Sequence, residues 1–149
     1  MTPEQKQTVK RTWALIVPSA DAAATLFYDK LFEIDAELKV LFQEVDLTSQ
    51  KKKLLQALAL TVASLDNLED LAPHLSELGR RHADYGVVEA HYDTVGGALL
   101  WTLEQGLQEA WTPDVQDAWT AAYGIVSETM QAAATHNANN QGRSRDKAA

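Results

Sequence analysis

The hydrophobic positions of this chain recur every three or four residues and almost nowhere alternate. That is the period of helices that bury one face. Val9, Trp13, Ile16 and Val17 mark a first helix. "TPEQ" opens it: Thr2 can cap the free N–H groups, Pro3 suits the first turn, and Glu4 favours the positive helix end. Pro18 and Ser19 break it. Asp21 starts a second helix, "DAAATLFYDKLFEID", anchored by Leu26, Phe27, Leu31 and Phe32. A short piece, "AELKVLF", and a polar connection, "QEVDLTSQ", follow. The next helix is predicted from about Ser49 to Asp66, with Leu54, Leu58, Thr61, Val62 and Leu65 on one face. "DNLEDLAPH" is read as a turn punctuated by Pro73. A shorter helix ends near His82, and Gly86 marks the corner after it. Two long helices complete the pattern, from about Glu89 to Glu109 and from the "TPD" cap at Thr112 to about Ala134.

The remaining stretch, "THNANNQGRSRDKAA", has no apolar period and is expected to be a disordered tail. The expected layout is one domain over residues 1–135 and a tail over 136–149. No internal repeat, second domain or β-hairpin signal is visible. Six or seven helices with short links and no continuous heptad imply a folded all-α domain, not a coiled coil.

Composition narrows the chemistry. A chain of 149 residues that is 46% hydrophobic and 23% charged fits one soluble domain with a single sizeable core. Its formal net charge of -8 argues against nucleic acid, which is held by neutralising phosphates, and against an anionic membrane surface. The absence of cysteine excludes disulfides, thiolate metal sites and cysteine nucleophiles. The polar start, "MTPEQKQTVKRTW", is unlike a signal peptide, and no apolar run approaches a membrane span. A cytoplasmic protein is expected.

Two of the four histidines lie in "LGRRHADYGVVEAHYDTVGGALLW". His82 shares a helix face with Leu75 and Leu78, seven and four residues earlier, while Arg80 and Arg81 point elsewhere. An imidazole facing an apolar interior must find a polar partner. A metal on one nitrogen and a backbone carbonyl on the other would satisfy it. Zinc is disfavoured, because HExxH and paired His/Asp/Glu spacings are missing. Gly-rich phosphate loops and a GxSxG elbow are missing too. One histidine with many apolar neighbours is what a haem needs, since the porphyrin supplies four donors. His91, beside Tyr92, is the competing candidate and is read as structural. His74 and His136 are expected to be solvated.

Trp13, "LFYDKLF", the "LF" ending at Phe42, a glutamine followed four residues later by leucine, "LGRRHADYGV", "AHYDTVGGALLWTL" and the "AW…AAYG" of the last helix occur in one order over about residues 3–133. In this the chain resembles the globins, specifically bacterial single-domain haemoglobins related to the haem domain of flavohaemoglobins. The resemblance implies a globin fold, a three-over-three helical sandwich around haem b, with His82 as the proximal iron ligand. It implies that Phe42 wedges against the porphyrin. Ala36 stands where a proline usually precedes that segment, so a looser corner is expected. Tyr28 matches the distal tyrosine, a donor to bound O2. Two registers are open for the distal helix. Counting from "FQEVDLTSQ" gives Gln50 and Leu54; counting back from "NLEDL" gives Lys53 and Ala57. The apolar stripe at 54, 58, 61 and 65 favours the first, leaving Lys51, Lys52 and Lys53 as a solvated face. In the second register Lys53 is a second iron ligand or a partner of a propionate. The implied cofactor contacts are Phe42, Lys53, Leu54, Leu78, Arg81, Val87, Tyr92 and Val95.

The relatives are similar in using a Tyr–Glu pair behind the proximal histidine. Tyr92 matches the tyrosine, but the glutamate position, counted from Tyr123, falls at Ala134. Glu128 lies six residues earlier, on another side of the helix, and cannot stand in. A weaker proximal push is expected. The expected function is reversible, high-affinity O2 binding for supply or scavenging. The alternatives are oxidation of NO to nitrate and a gas sensor or haem-free module. NO and CO are the other expected ligands. With 149 residues leaving no room for a flavin domain, an external reductase is the expected partner. A monomer or weak dimer with a five-coordinate ferrous iron completes the expectation.

Overall fold

Helix starts along this chain are written in its capping residues. Thr2 accepts a hydrogen bond from the Gln5 N–H at 3.1 Å, and Gln5 Oε1 accepts one from the Thr2 N–H at 2.9 Å. This reciprocal box closes the first turn of α1 (Pro3–Ile16). The computed structural model describes residues 1–134 in full and the backbone alone of 135–148. A 3-10 turn, Val17–Ser19, leads into α2 (Ala20–Ile34). A second 3-10 segment covers Ala36–Phe42, and α3 (Leu47–Ala63), α4 (Leu68–Asp84) and α5 (Glu89–Leu107) follow. After a 3-10 turn at Gln108–Ala110, α6 runs Pro113–Ala148. No strand occurs among the described residues. The expected tail falls where side chains lie outside the described residues, so the boundary at 135 stands as an expectation. Among the described residues no helix is long and apolar enough to cross a membrane.

Three details differ from the hydrophobic pattern. α3 begins at Leu47, two residues before Ser49, because Asp46 caps it by accepting from the Thr48 N–H at 3.1 Å. Pro73 does not end a segment. It sits inside α4, which starts at Leu68. The bond that Pro73 cannot donate would go to Glu69, whose carbonyl lies in an exposed first turn where water can serve it. Val17 and Leu26 are not core anchors: they are 52% and 39% exposed. Thr12 and Ala24 are buried in their helices instead.

Packing pairs α4 with α6, α1 with α6 and α2 with α5, while α3 leans on α2 and α1. No comparable packing joins α3 to α4. The interior accordingly divides in two. The larger cluster gathers Val9, Ile16, Phe27, Tyr28, Leu31, Leu65, Leu103, Trp119 and their neighbours from α1, α2, α3, α5 and α6. Each such side chain, fully buried, contributes about 1.5–3 kcal/mol. The smaller cluster holds Leu71 and Leu75 of α4, Tyr92 of α5 and Met130 of α6. Leu68 touches both. Thr12 is fully buried because Trp119 Nε1 donates to its hydroxyl at 2.8 Å, tying α1 to α6.

Candidate functional site

Helix α2 brings Tyr28 into the interior at 3% exposure, inside a nest of aromatic rings. Its ring lies edge-on to Phe27 at 5.0 Å and to Phe42 at 5.8 Å, with Phe32 at 6.2 Å. Phe32 and Phe42 also meet edge to face, at 5.4 Å. Such contacts lock ring orientation beyond what area burial gives. Phe42 is delivered by the 3-10 segment, whose start is capped by Asp35, accepting from the Glu37 N–H at 3.1 Å. The corner that lacks a proline at Ala36 is thus held by a side-chain cap.

Burial pushes the Tyr28 phenol up to about 12, while a hydrogen-bonding interaction with the Gln50 amide pulls the other way. Tyr28 and Gln50 are therefore polar neighbours, one on α2 and one on α3. Gln50 and Leu54 are half-buried, Lys52 and Lys53 are exposed, and Lys51 is half-buried. Leu54 and Leu58 pack against the larger cluster. The structure thus brings Tyr28, Phe42, Gln50 and Leu54 to one side of the interior and does not bring Lys53 there.

Helix α4 supplies the other side. His82 is half-buried, and its Nδ1 lies 2.7 Å from the Leu78 carbonyl oxygen one turn earlier. A carbonyl only accepts, so Nδ1 carries the proton and Nε2 keeps a free lone pair. Leu78 and Val87 pack against the smaller cluster. Val87 is folded back by Gly86, whose φ of +91° favours glycine, and its N–H donates to the His82 carbonyl at 3.0 Å. Arg81 is exposed, with its guanidinium directed at Glu77 on its own helix at 3.3 Å. It is not brought to this group. His74 is exposed, and His91 uses Nδ1 to accept the Val88 N–H at 3.0 Å, capping α5.

Tyr92 closes the smaller cluster from α5. Its hydroxyl is buried and has no hydrogen-bond partner among the described residues. Glu128 is exposed to solvent. Burial raises the Tyr92 phenol. The Tyr123 hydroxyl donates to the Tyr92 carbonyl at 2.6 Å, and burial raises that phenol too, helped by the nearby Tyr92 and Asp93. Val95, half-buried, packs on the larger cluster.

Among the described residues, no three His, Cys, Asp or Glu side chains converge in a metal-holding set. Any metal at His82 would need its other donors from elsewhere, and the surroundings are apolar on both sides. That donor chemistry fits a metal already seated in an organic macrocycle. The lack of close packing between α3 and α4 and the orphaned Tyr92 hydroxyl fit it as well. The hydrophobic pattern missed the buried glycine at 79 and the Phe32 contact with Phe42. A glycine inside a helical period was the available signal for the first.

A family model described as Globin matches residues 25–130. A flavohemoprotein of Bacillus subtilis (strain 168) is 31% identical over 129 residues, which is 83% of this chain and 32% of the relative. A flavohemoprotein of Vibrio cholerae serotype O1 is 31% identical over 135 residues, 87% of this chain and 34% of the relative. The chain spans about a third of the length of these relatives. A hexacoordinated heme protein from an anhydrobiotic tardigrade, solved at pH 4, superposes with a TM-score of 0.83. The match covers 91% of this chain and 96% of that one at 18% identity, which shows the shared fold.

Proposed function

The chain belongs to the globin family, and from that premise we propose that it holds a haem b between α3 and α4 and binds O2 reversibly with high affinity. The observation that carries this reading is the single imidazole on an apolar face, with Nδ1 spent on the Leu78 carbonyl and Nε2 left free. His82 Nε2 would hold the haem b, which would supply an iron able to bind a diatomic gas. In this reading His82 is the proximal ligand, and Phe42, Leu54, Leu78, Val87 and Val95 hold the ring by apolar contact. Tyr92 closes the proximal side. Lys53 and Arg81 serve, at most, at the solvent edge.

Tyr28 and Gln50 act on the other side as donors to the gas. With its pKa pushed up to about 12, the phenol keeps its proton throughout the physiological range and stays a donor. Each neutral hydrogen bond contributes about 0.5–1.5 kcal/mol net. Two together slow O2 loss by roughly one to two orders of magnitude, because about 1.4 kcal/mol is tenfold. O2 gains more than CO from such donors, since it draws more charge when bound. The test is the O2 dissociation rate by stopped flow, in the wild type and in Tyr28→Phe. A rise of about tenfold in the variant is expected. An unchanged rate overturns the role of Tyr28.

The likeness to flavohemoproteins over 83–87% of the chain favours a second reading, oxidation of NO to nitrate with electrons from a reductase. The proximal side supports only a mild push for such chemistry. Ala134 stands at the counted carboxylate position, and the Tyr92 hydroxyl has no partner among the described residues. Nitrate formation per unit of NO, under a supplied reductant, separates turnover from simple gas binding.

A further inference from the structure

Where α4 crosses α6, backbone lies directly against backbone. A Cβ added at Gly79 would fall 2.2 Å from the Met130 carbonyl oxygen, 2.7 Å from its Cα and 2.8 Å from its carbonyl carbon. All three obstacles are main-chain atoms, so no side-chain rotation relieves them. Only a shift of α4 away from α6, on the order of 1 Å, would restore ordinary contact. Gly79 is buried and lies one residue after Leu78 and three before His82. The turn it belongs to is the one that fixes the imidazole, through the 2.7 Å bond from Nδ1 to Leu78. Leu71 and Leu75 on one side of the crossing and Met130 on the other seal it from water. By contrast, a Cβ at Gly97 or Gly124 meets nothing within 4 Å.

Resting on the reading of His82 as iron ligand, we infer that Gly79 is a positioning residue that sets how far His82 stands from the iron. The contact with Met130 fixes the depth of α4, and the Leu78 carbonyl transmits that depth to Nε2. A ligand must be held within about 0.5 Å of its productive geometry, so a 1 Å retreat of α4 alters the iron–histidine bond directly. The sequence marks Gly79 only as a glycine inside a helical period and hides its partner, because Met130 acts through its backbone and any residue there would present the same carbonyl.

The test compares Gly79→Ala with Gly97→Ala, the same chemical change at an open site. The first readout is the iron–histidine stretching band of the reduced, gas-free protein by resonance Raman. The second is haemin transfer to an excess of apomyoglobin. For Gly79→Ala, a shifted or broadened band and at least tenfold faster haemin loss are expected, with both unchanged in Gly97→Ala. The shift must vanish when His82→Gly is combined with added imidazole, because the ligand is then uncoupled from the helix. A wild-type band in Gly79→Ala, or a shift that persists with free imidazole, overturns the inference. If Gly79→Ala fails to fold even in the Gly97→Ala background, the crossing is purely architectural and the inference also falls. A wild-type protein without a Soret band would instead overturn the haem reading itself.

Discussion

The two sides of the candidate site are built by different means. On the α4 side the fixed points are main-chain groups: the Leu78 carbonyl under His82, the Met130 backbone against Gly79, and the Tyr92 carbonyl under Tyr123. On the α3 side they are side chains: the rings of Phe27, Phe32 and Phe42 around Tyr28, and the Gln50 amide beside its hydroxyl. Main-chain contacts leave no rotamer to adjust, whereas a nest of rings and a half-buried amide can re-pack. The difference assigns the tasks. On the proposed reading, the α4 side sets where the iron sits and the α3 side tunes how long a gas stays.

The largest effect should come from His82→Ala. Haem affinity is expected to fall by more than the roughly 10–100-fold typical of losing a supporting group near a metal, read by haemin titration of the Soret band. Equal loss in His91→Ala would shift the proximal role away from α4. Next is the distal pair. Gln50→Leu is expected to speed O2 dissociation by about threefold to tenfold, while Lys53→Leu leaves it unchanged. The reverse pattern would move the distal helix to the Lys53/Ala57 register and place an ionisable side chain over the gas.

The smallest effect is on alkaline stability. Tyr28 ionises near 10 when unfolded and at about 12 when folded. A raised folded pKa means that the folded state keeps its proton longer. This stabilisation is fully present below pH 10 and is lost as pH rises through about 12. Tyr123, raised by burial on the α4 side, acts with the same sign. Urea midpoints between pH 9 and 12 should therefore fall with pH, and less steeply in Tyr28→Phe and in Tyr123→Phe. A midpoint that rises over this interval would contradict the burial of both phenols.

Much of this was legible in the sequence, for reasons that differ by element. The helices could be read because their starts carry caps, Thr2 and Thr112, and because Gly86 marks a left-handed corner. His82 stood out as a polar group on an apolar face. The Asp46 cap sits inside a polar stretch, so the hydrophobic period shows α3 only from about Ser49. Pro73 misled because proline is a weak breaker near a solvated helix start. Leu26 misled because hydrophobicity alone does not report which face meets a neighbour; for the same reason the pattern gives no hint of Thr12, buried against Trp119. At the Gly79 crossing the glycine itself was a signal but its partner was illegible, since that partner is a carbonyl that every residue carries.

The most direct measurement is the visible absorption spectrum of the purified protein, reduced without O2 and then exposed to it. A Soret band that shifts on exposure and returns on removal of the gas is expected, and it should be lost in His82→Ala. The absence of any Soret band after addition of haemin would contradict a haem held between α3 and α4.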